Sequence, residues 1–457
     1  MRNAETTLAI IRERGSKGLH LEDVYRRLYN PDLYLRAYGR LYRNAGALTE
    51  GIDGQTVDGM CMDRIHAIIE LLRQEKFRWD PVRRVSIPKT NGKLRPLGIP
   101  NFDPDRLLQE VMRSILEAYY EPQFSPNSHG FRPNRGGHTA LKDIVIAWKG
   151  TKGFIAGDIK GCFDNIDHEI LLSILREKIH DNRFHRLLHG LLTAGYVEEW
   201  DRRPTLSGTP QGGVVSPILA NIYLDKLDQF VERTLLPEYT RGKYKRKFKM
   251  YARLQSRLAH LIKRDAPSDE IRRVRKEMQK HPAVDQFDAG YRRLRYIRYA
   301  DDFLLGFDGP KEEAEMIKSR LTQFLHDELK LEMSPDKTLI THASTGSARF
   351  LGYDITTHNY FGRPTAKIEL RVPNQVIEDK IRRYTKDGKP IHRREITYDT
   401  DFSIIARCGA EYRGYVRHCA YAADRCRLNR LPWYMRISLL KTLANKHRST
   451  ASEMAKR

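Results

Sequence analysis

The fold is decided by the stretch Tyr296-Ile297-Arg298-Tyr299-Ala300-Asp301-Asp302-Phe303-Leu304-Leu305. Two acidic residues stand in its middle, between two apolar runs. Successive side chains of an extended strand point to opposite faces, so Asp301 and Asp302 can serve one site only near the tight turn of a hairpin. The flanks have the length of short strands. The stretch therefore predicts a β-hairpin with two carboxylates at its tip.

A third carboxylate, Asp158, ends the strand-like segment 154–159. Neighbouring carboxylates repel each other unless a cation lies between them. Hard oxygen ligands favour Mg²⁺ or Mn²⁺, and Mg²⁺ combines one or two carboxylates with substrate phosphates. Three such acids could hold two metal ions for phosphoryl transfer. An exposed Asp-Asp turn and a helix-capping Asp158 are the alternative interpretations.

Composition favours a polyanionic partner inside the cell. Lys and Arg number 81 against 58 Asp and Glu, a net charge of +23. Such a surplus predicts attraction to nucleic acid, although an ordinary solubility charge also explains it. The five cysteines are scattered and odd in number, which indicates neither a disulfide framework nor a structural zinc site. The N-terminus resembles neither a secretory signal nor a membrane span.

Hydrophobic periodicity divides the chain into three parts. Residues 1–80 are predicted to be helical, and 366–457 are helical and basic. Between them, 81–365 combine a hairpin over 84–99, a helix opening at Asp103-Pro104, the strand at 154–159, a helix from about Asp167, a Gly-rich loop at 208–213 and a helix capped by Ser216. Residues 241–280 hold 15 Lys or Arg against 4 Asp or Glu. They predict a basic helical hairpin, inserted at about 236–290.

Tyr299-Ala300-Asp301-Asp302 resembles the signature motif of reverse transcriptases, and Asp158, the loop 208–212 and this motif follow in that family's order. More narrowly, the chain resembles group II intron-encoded proteins, which are reverse transcriptases and splicing maturases. The matching stretches are residues 94–100, 128–133, 157–168, 208–221, 296–303 and 350–353. The resemblance implies an α+β right-hand polymerase, with fingers and palm over 81–365, a helical thumb over 366–457 and an N-terminal helical extension.

The resemblance implies metal and nucleotide sites. Asp158, Asp301 and Asp302 would bind two Mg²⁺ ions, or Mn²⁺, with the Ile159 backbone oxygen as a further ligand. Residues expected to bind the nucleotide are Lys89, Arg95, Phe163, Gln211 and Lys337.

Each of these nucleotide-site residues has its own expected role. Lys89 and Arg95 would grip the triphosphate. Phe163 would exclude a ribose 2′-hydroxyl, although a plain core Phe is the competing interpretation. Gln211 would lie against the nascent base pair, and Lys337 would donate a proton to pyrophosphate.

Two further segments would contact nucleic acid. Phe350, Leu351, Gly352 and Tyr353 would grip the primer strand, although a buried strand edge also explains them. Residues 411–415 and 440–447 resemble the maturase thumb, called domain X. Its expected RNA contacts are Arg413, Lys441, Lys446 and His447. Any basic helical bundle shares that composition.

The resemblance implies an RNA-directed DNA polymerase that copies RNA into cDNA by two-metal nucleotidyl transfer. It would also bind group II intron RNA to assist splicing and retrohoming. The expected partners are this intron RNA, an RNA template with a DNA or RNA primer, target DNA and dNTPs, without a membrane, in the bacterial cytoplasm. The paired Cys and His ligands of the endonuclease carried by many relatives are missing, so DNA cleavage is not expected.

Three other functions compete with this one. A splicing maturase without polymerase activity is disfavoured because the carboxylates, Lys89 and Arg95 are intact. A free-standing reverse transcriptase does not explain the domain X motifs. A palm-fold nucleotide cyclase does not explain the basic surplus or the fingers motifs.

Overall fold

The computed structural model describes residues 3–456, except 45, 89–93, 199–200, 204–206, 210–211, 286–287, 337 and 361–362. The side chains of residues 95, 201–202, 359–360 and 363–366 also lie outside the description.

The helices, in chain order, are α1 (Ala4–Ser16), α2 (Val24–Arg27), α3 (Pro31–Tyr42), α4 (Met62–Arg73), α5 (Leu107–Tyr120), α6 (Gly137–Ala147), α7 (His168–Arg176), α8 (Asn182–Thr193), α9 (Ser216–Phe230), α10 (Leu236–Glu238), α11 (Lys249–Lys263), α12 (Ser268–Gln279), α13 (Lys311–Leu329), α14 (Asn374–Arg382), α15 (Asp401–His418), α16 (Arg430–Lys446) and α17 (Ala451–Lys456). The strands are β1 (Leu21–Glu22), β2 (Val82–Pro88), β3 (Leu94–Ile99), β4 (Gly153–Asp158), β5 (Ile179–His180), β6 (Tyr196–Glu198), β7 (Asp201–Arg203), β8 (Arg293–Tyr299), β9 (Asp302–Asp308), β10 (Ile340–His342), β11 (Ala348–Phe350), β12 (Tyr353–Tyr360), β13 (Arg363–Arg371), β14 (Thr385–Lys386) and β15 (Lys389–Pro390).

The central sheet is antiparallel, with strand order β10-β4-β9-β8. Alternate residues of β9 enter different cores: Phe303 and Leu305 pack into one, and Leu304 into the other. A sheet that is buried on both faces requires apolar residues at successive positions, which explains the apolar runs around Asp301 and Asp302. The three acids accordingly lie at or next to strand ends.

The helices that cover one face of this sheet form as the apolar spacing predicts. In α5, the side chains of Leu108, Val111, Met112 and Ile115 are fully buried. Helix α7 begins after Asp167, whose side chain accepts a hydrogen bond from the Ile170 N–H at 2.9 Å. Helix α9 begins one residue earlier than predicted: Val215 holds the N-cap position, and Ser216 is already helical.

The first 80 residues are mainly helical, with one departure from the prediction. Leu21 lies in β1, which pairs in parallel with Ile179 of β5, and α2 spans only one turn. Leu21 is nevertheless fully buried, as its apolar spacing predicts. The Tyr25 N–H donates to Asp181 Oδ2 at 2.8 Å, which ties this region to the N-terminus of α8.

The hairpin expected over 84–99 is present as β2 and β3, with Pro88 paired to Leu94. Its turn, which contains Lys89, lies outside the described residues. Two short strands, β6 and β7, extend this sheet in the order β3-β2-β6-β7. The sequence did not predict them, because three-residue strands have too little alternation to detect.

Helices α11 and α12 form the predicted basic insertion. Helix α12 starts after Pro267. Leu261 and Val274 are the buried residues of the two helices.

The C-terminal region contains α14–α17 and a three-stranded sheet, β11-β12-β13. Strand β13 continues to Arg371, so the first helix begins only at Asn374. Within the described part of the chain, no helix is both long and apolar enough to cross a membrane.

Asp105 is a buried acid whose ionisation should destabilise the fold. It is 1% exposed, and its Oδ1 has no hydrogen-bond partner among the described residues. Burial, and next the charge of Asp80, raise its pKa to about 8. The native state therefore keeps a proton that the unfolded chain releases above its ordinary pKa, and stability falls as pH rises toward 8.

We expect Asp105→Asn to stabilise the protein relative to the wild type, increasingly so with pH, by about 1.4 kcal/mol per pH unit between pH 5 and 8. Thermal unfolding across this range measures the effect. The control is Glu328→Gln on the exposed face of α13, which should change the free energy of unfolding by no more than about 0.5 kcal/mol. A stability difference for Asp105→Asn that does not change with pH would contradict the raised pKa.

Candidate active site

The two adjacent acids lie at the tip of a hairpin, as predicted. Strands β8 and β9 pair up to Tyr299 and Asp302, so Ala300 and Asp301 form a two-residue turn. Ala300 has a φ of +56°, a left-handed conformation that tight hairpin turns require. The turn aims two successive carboxylates away from the buried strands.

Asp158 lies directly opposite Asp302, in register across β4 and β9. Residues paired in this way have Cβ atoms about 4.5–5.5 Å apart and project from the same face of the sheet. The Ile159 N–H donates to the Asp301 backbone oxygen at 3.4 Å, which brings the tip of the hairpin against the end of β4. The structure therefore gathers Asp158, Ile159, Asp301 and Asp302 at one edge of the sheet.

The donors at this edge fit a divalent cation that also takes ligands from its substrate. The three acids are partly exposed, whereas Ile159 is buried. Among the described residues, no three Asp, Glu, His or Cys side chains lie close enough to hold a metal ion alone. Mg²⁺ does not require such a cage, since it characteristically combines one or two carboxylates with water and phosphate oxygens.

Cys162 lies close to these acids but is unsuited to bind a metal. It is 2% exposed, and burial, with a smaller contribution from Asp301, raises the pKa of its thiol to about 12. A protonated thiol is a poor ligand, because metal ions bind the thiolate. Cys162 therefore anchors the turn after β4 as a small apolar residue.

A buried ion pair fixes the β8–β9 hairpin, whose turn at Ala300 and Asp301 is the predicted catalytic turn. Arg298 and Asp228 are both fully buried, and the guanidinium donates to the two carboxylate oxygens at 2.8 and 2.6 Å. Burial alone would lower the pKa of Arg298, but Asp228 raises it above its ordinary value. The Tyr296 hydroxyl donates to the same carboxylate at 2.7 Å. The pair joins β8 to α9.

The remaining donors of Arg298 reach the turn and the loop beside it. They donate to the Ala300 backbone oxygen at 2.9 Å, Ser128 Oγ at 2.9 Å and Asn221 Oδ1 at 3.2 Å. All five N–H groups of the guanidinium are therefore used. Because each bond is directional, the group fixes the turn more narrowly than apolar packing would.

The loop 128–133 packs directly against the catalytic turn. The His129 N–H donates to the Arg298 backbone oxygen at 2.9 Å, and Asn221 Nδ2 donates to the Gly130 oxygen at 2.8 Å. A Cβ at Gly130 would lie 2.3 Å from the Ala300 nitrogen. Only glycine at position 130 permits the loop to approach Ala300 so closely. In the same loop, burial lowers the pKa of the His129 ring to about 4, so this ring is neutral at physiological pH.

The Gly-rich loop approaches two other segments of the site. Gly208 has a φ of +90° and Gly212 a φ of +107°. The Thr209 N–H donates to the Phe163 oxygen at 2.7 Å, and a Cβ at Gly212 would lie 2.6 Å from the Gly98 oxygen. The loop therefore bridges the palm at Phe163 and the hairpin strand β3.

The side chains of four predicted nucleotide-site residues lie outside the described part of the structure. Lys89, Gln211 and Lys337 lie outside the described residues, and only the backbone of Arg95 is described, in β3 opposite Ile87. Ser334, which precedes Lys337, donates its N–H to the Asp158 oxygen at 2.8 Å. Ser334, three residues before Lys337, therefore lies beside the acidic edge.

The predicted primer-grip segment forms a tight turn between β11 and β12. Phe350 pairs with Tyr353, while Leu351 and Gly352 both have positive φ. Phe350 and Tyr353 are buried, so only the turn between them is partly exposed. The Tyr353 hydroxyl donates to the His418 oxygen, which attaches this turn to the end of α15.

Three of the four predicted RNA contacts already have partners within the chain. Lys441 Nζ donates to the Pro390 oxygen at 2.7 Å, and Lys446 Nζ donates to Asp401 Oδ1 at 2.7 Å. His447 Nε2 lies 2.8 Å from Asp401 Oδ2. Arg413 is exposed on α15. An RNA-binding role for all four stays a prediction.

Sequence reasoning did not assign a role to Arg298, Asp228, Asn221 or Ser128. The position of Arg298 in the sequence could have revealed its role. An Arg inside an apolar strand of a sheet buried on both faces must have a buried counter-charge. Its partner, 70 residues earlier on another element, could not be identified without the fold.

We expect Asp228→Asn to destabilise the protein by about 3–5 kcal/mol, because it leaves the Arg298 guanidinium buried without a counter-charge. Thermal and urea unfolding measure the loss. As a matched control, Glu238→Gln breaks the partly exposed pair with Arg320 and should cost no more than about 1 kcal/mol. Equal effects of the two substitutions would contradict this account.

We expect Gly130→Ala to lower the kcat of nucleotide addition by about 100-fold, because the new Cβ displaces the catalytic turn. Gly137→Ala is the matched control, since its Cβ would lie an ordinary 3.6 Å from Leu351 Cδ1. Single-turnover primer extension measures both. A Gly130→Ala variant as fast as the wild type would show that the turn tolerates displacement.

The chain matches two family models and several known proteins. Residues 87–252 match the family described as reverse transcriptase (RNA-dependent DNA polymerase), and residues 367–457 match type II intron maturase. The chain is 41% identical to the group II intron-encoded protein LtrA of Lactococcus lactis subsp. cremoris, over 98% of this chain and 79% of that protein. It is 33% identical to protein YkfC of Escherichia coli (strain K12), over 80% of this chain and 90% of the relative.

A solved structure of telomerase from Candida albicans with a fragment of telomeric RNA aligns over 84% of this chain and 63% of its own, with a TM-score of 0.39 and 11% identity. The two domain matches and the extended identity to LtrA assign the family. The chain belongs to the group II intron-encoded proteins, and it is an RNA-directed DNA polymerase with a type II intron maturase domain.

Proposed function

We propose that Asp158, Asp301 and Asp302, with the Ile159 backbone oxygen, hold two Mg²⁺ ions, for which Mn²⁺ can substitute. The observation that carries this proposal is the register of Asp158 opposite Asp302, with Asp301 in the adjoining turn. When bound, such ions lower the pKa of the primer 3′-hydroxyl and offset the charge that develops on pyrophosphate. The carboxylates would hold these ions at the ends of β4 and β9, where all three side chains are partly exposed.

The substrates in this proposal are dNTPs and an RNA template with a DNA or RNA primer. Phe163 would exclude a ribose 2′-hydroxyl, since its backbone is fixed by Thr209 and its ring is only partly buried. Lys89 and Arg95 would contact the triphosphate from the β2–β3 hairpin. Gln211 would face the nascent base pair, and Lys337 would donate a proton to the leaving pyrophosphate.

The backbone of the β11–β12 turn would hold the primer. Leu351 and Gly352 form its partly exposed tip, and Phe350 and Tyr353 fix it from beneath.

We propose that the C-terminal part binds group II intron RNA for splicing and retrohoming, and that target DNA is a further partner. Residues 366–457 contain 21 Lys or Arg against 10 Asp or Glu, and Arg413 is exposed among them. Cation-rich surfaces gain affinity for phosphate backbones by releasing counterions. The basic insertion α11–α12 offers a second such surface.

The proposed division of the chain is an N-terminal extension over 1–80, fingers and palm over 81–365 and a thumb over 366–457. The basic insertion at about 236–290 interrupts the palm. The proposed location is the bacterial cytoplasm, in association with nucleic acid.

We expect Asp301→Ala to abolish primer extension on an RNA template with dNTPs and Mg²⁺, with a loss of at least about 1,000-fold, because it removes a metal ligand. Primer extension by the wild type and the variant is compared at equal protein concentration. The matched control is Asp327→Ala on the exposed face of α13, which should extend at the wild-type rate.

Two outcomes would count against the proposal. Extension by Asp301→Ala at the wild-type rate would place the metal site elsewhere. A folded wild type that binds intron RNA but does not extend a primer would favour a splicing maturase without polymerase activity.

A further inference from the structure

Phe131 is an exposed aromatic residue in an unusual backbone conformation. Its φ is +56°, a region that bulky residues seldom occupy, and its side chain is 51% exposed. The Phe131 ring belongs to neither of the two large buried clusters, so the unusual backbone conformation does not serve core packing. A sparsely populated conformation that persists without a packing benefit suggests a functional constraint.

The residues on both sides of Phe131 hold it in place. Gly130 accepts a hydrogen bond from Asn221 and packs against the nitrogen of Ala300. On the other side, the buried Arg132 donates to the backbone oxygens of Ser125 and Ser128 at 2.6 and 2.7 Å. These contacts fix the backbone on both sides of Phe131, next to the β8–β9 turn.

The Phe131 ring contacts Phe163 edge to face. Their ring centroids are 6.0 Å apart, and their planes meet at 78°. This arrangement is favourable because the positive edge of one ring meets the negative face of the other. Phe163 is otherwise held by the hydrogen bond from Thr209 to its backbone oxygen and by partial packing against the main core.

Both rings line one cavity of about 770 Å³. Its other walls include Leu97 of β3 and residues 212–214 of the Gly-rich loop. Strand β3 and the Gly-rich loop therefore face the two rings across this cavity. A Phe163 ring without its Phe131 contact has space in this cavity to turn into.

We infer that Phe131 is a positioning residue for nucleotide selection: it holds the Phe163 ring in the orientation that excludes a ribose 2′-hydroxyl. This inference rests on the proposed role of Phe163. Removing the Phe131 ring leaves Phe163 free to turn into the cavity, and a ribonucleotide then fits beside it. Phe131 itself does not touch the reacting atoms, so the rate of deoxynucleotide addition is largely preserved.

The test is single-nucleotide extension on an RNA template, comparing kcat/KM for dCTP with that for CTP opposite G. We expect Phe131→Ala to lower this ratio by about tenfold, through a gain with CTP, and to change kcat/KM for dCTP by less than about threefold. Phe131→Leu should act in the same direction, because it lacks a ring edge. Phe131→Tyr should retain the wild-type ratio.

Three further variants separate this inference from the proposed role of Phe163. Phe163→Ala should lower the ratio more strongly, and the double variant Phe131→Ala/Phe163→Ala should match Phe163→Ala alone, because the two rings act through one contact. Met316→Ala, on the exposed face of α13, should leave the ratio unchanged.

The possible results are distinguishable. A ratio that falls in Phe163→Ala but not in Phe131→Ala overturns the inference and leaves the role of Phe163 intact. Additive losses in the double variant also overturn it. A ratio unchanged in Phe163→Ala refutes both the proposed role of Phe163 and the inference that rests on it.

Discussion

The buried ion pair between Arg298 and Asp228 is the interaction on which the rest of the active site depends. A guanidinium in a dry interior must satisfy every donor or bear a large desolvation cost. Arg298 does so with acceptors from α9, the loop after α5 and the catalytic turn itself. These bonds fix the relative position of three elements that apolar contacts alone would allow to slide. The hairpin tip is therefore rigid although it is partly exposed.

Apolar packing on both faces of the central sheet limits where charged side chains can lie. The central sheet is apolar on both faces, so carboxylates are tolerated only at its strand ends, where Asp158 and Asp302 meet. Close negative charges at such an edge raise the electrostatic energy unless cations and phosphates approach. The chain as a whole carries a net charge of +23, which attracts the polyanions that bring those phosphates. The acidic edge and the basic surface are thus two parts of one electrostatic arrangement.

The polymerase and maturase parts are joined by a close contact between the β11–β12 turn and α15. The β11–β12 turn meets α15 where Gly352 approaches the His418 ring and Tyr353 bonds to the His418 backbone oxygen. A Cβ at Gly352 would lie 2.8 Å from that ring. Helices rich in Arg and Lys are therefore attached to the segment expected to hold the primer. An RNA bound to those helices would lie on a body continuous with the catalytic sheet.

The local elements and the identity of the acids could be predicted from the amino-acid pattern. Apolar runs around Asp301 and Asp302 predicted the hairpin, and the spacing in α5 predicted its buried face, because strand and helix periodicity depend only on neighbouring residues. The tertiary structure alone decided which distant residues meet: Asp158 with Asp302, Arg298 with Asp228, and Phe131 with Phe163. It also placed Leu21 in a strand, since pairing with Ile179 prevailed over local helical spacing. Such contacts depend on chain segments far apart in sequence, and no local pattern records which of them pack together.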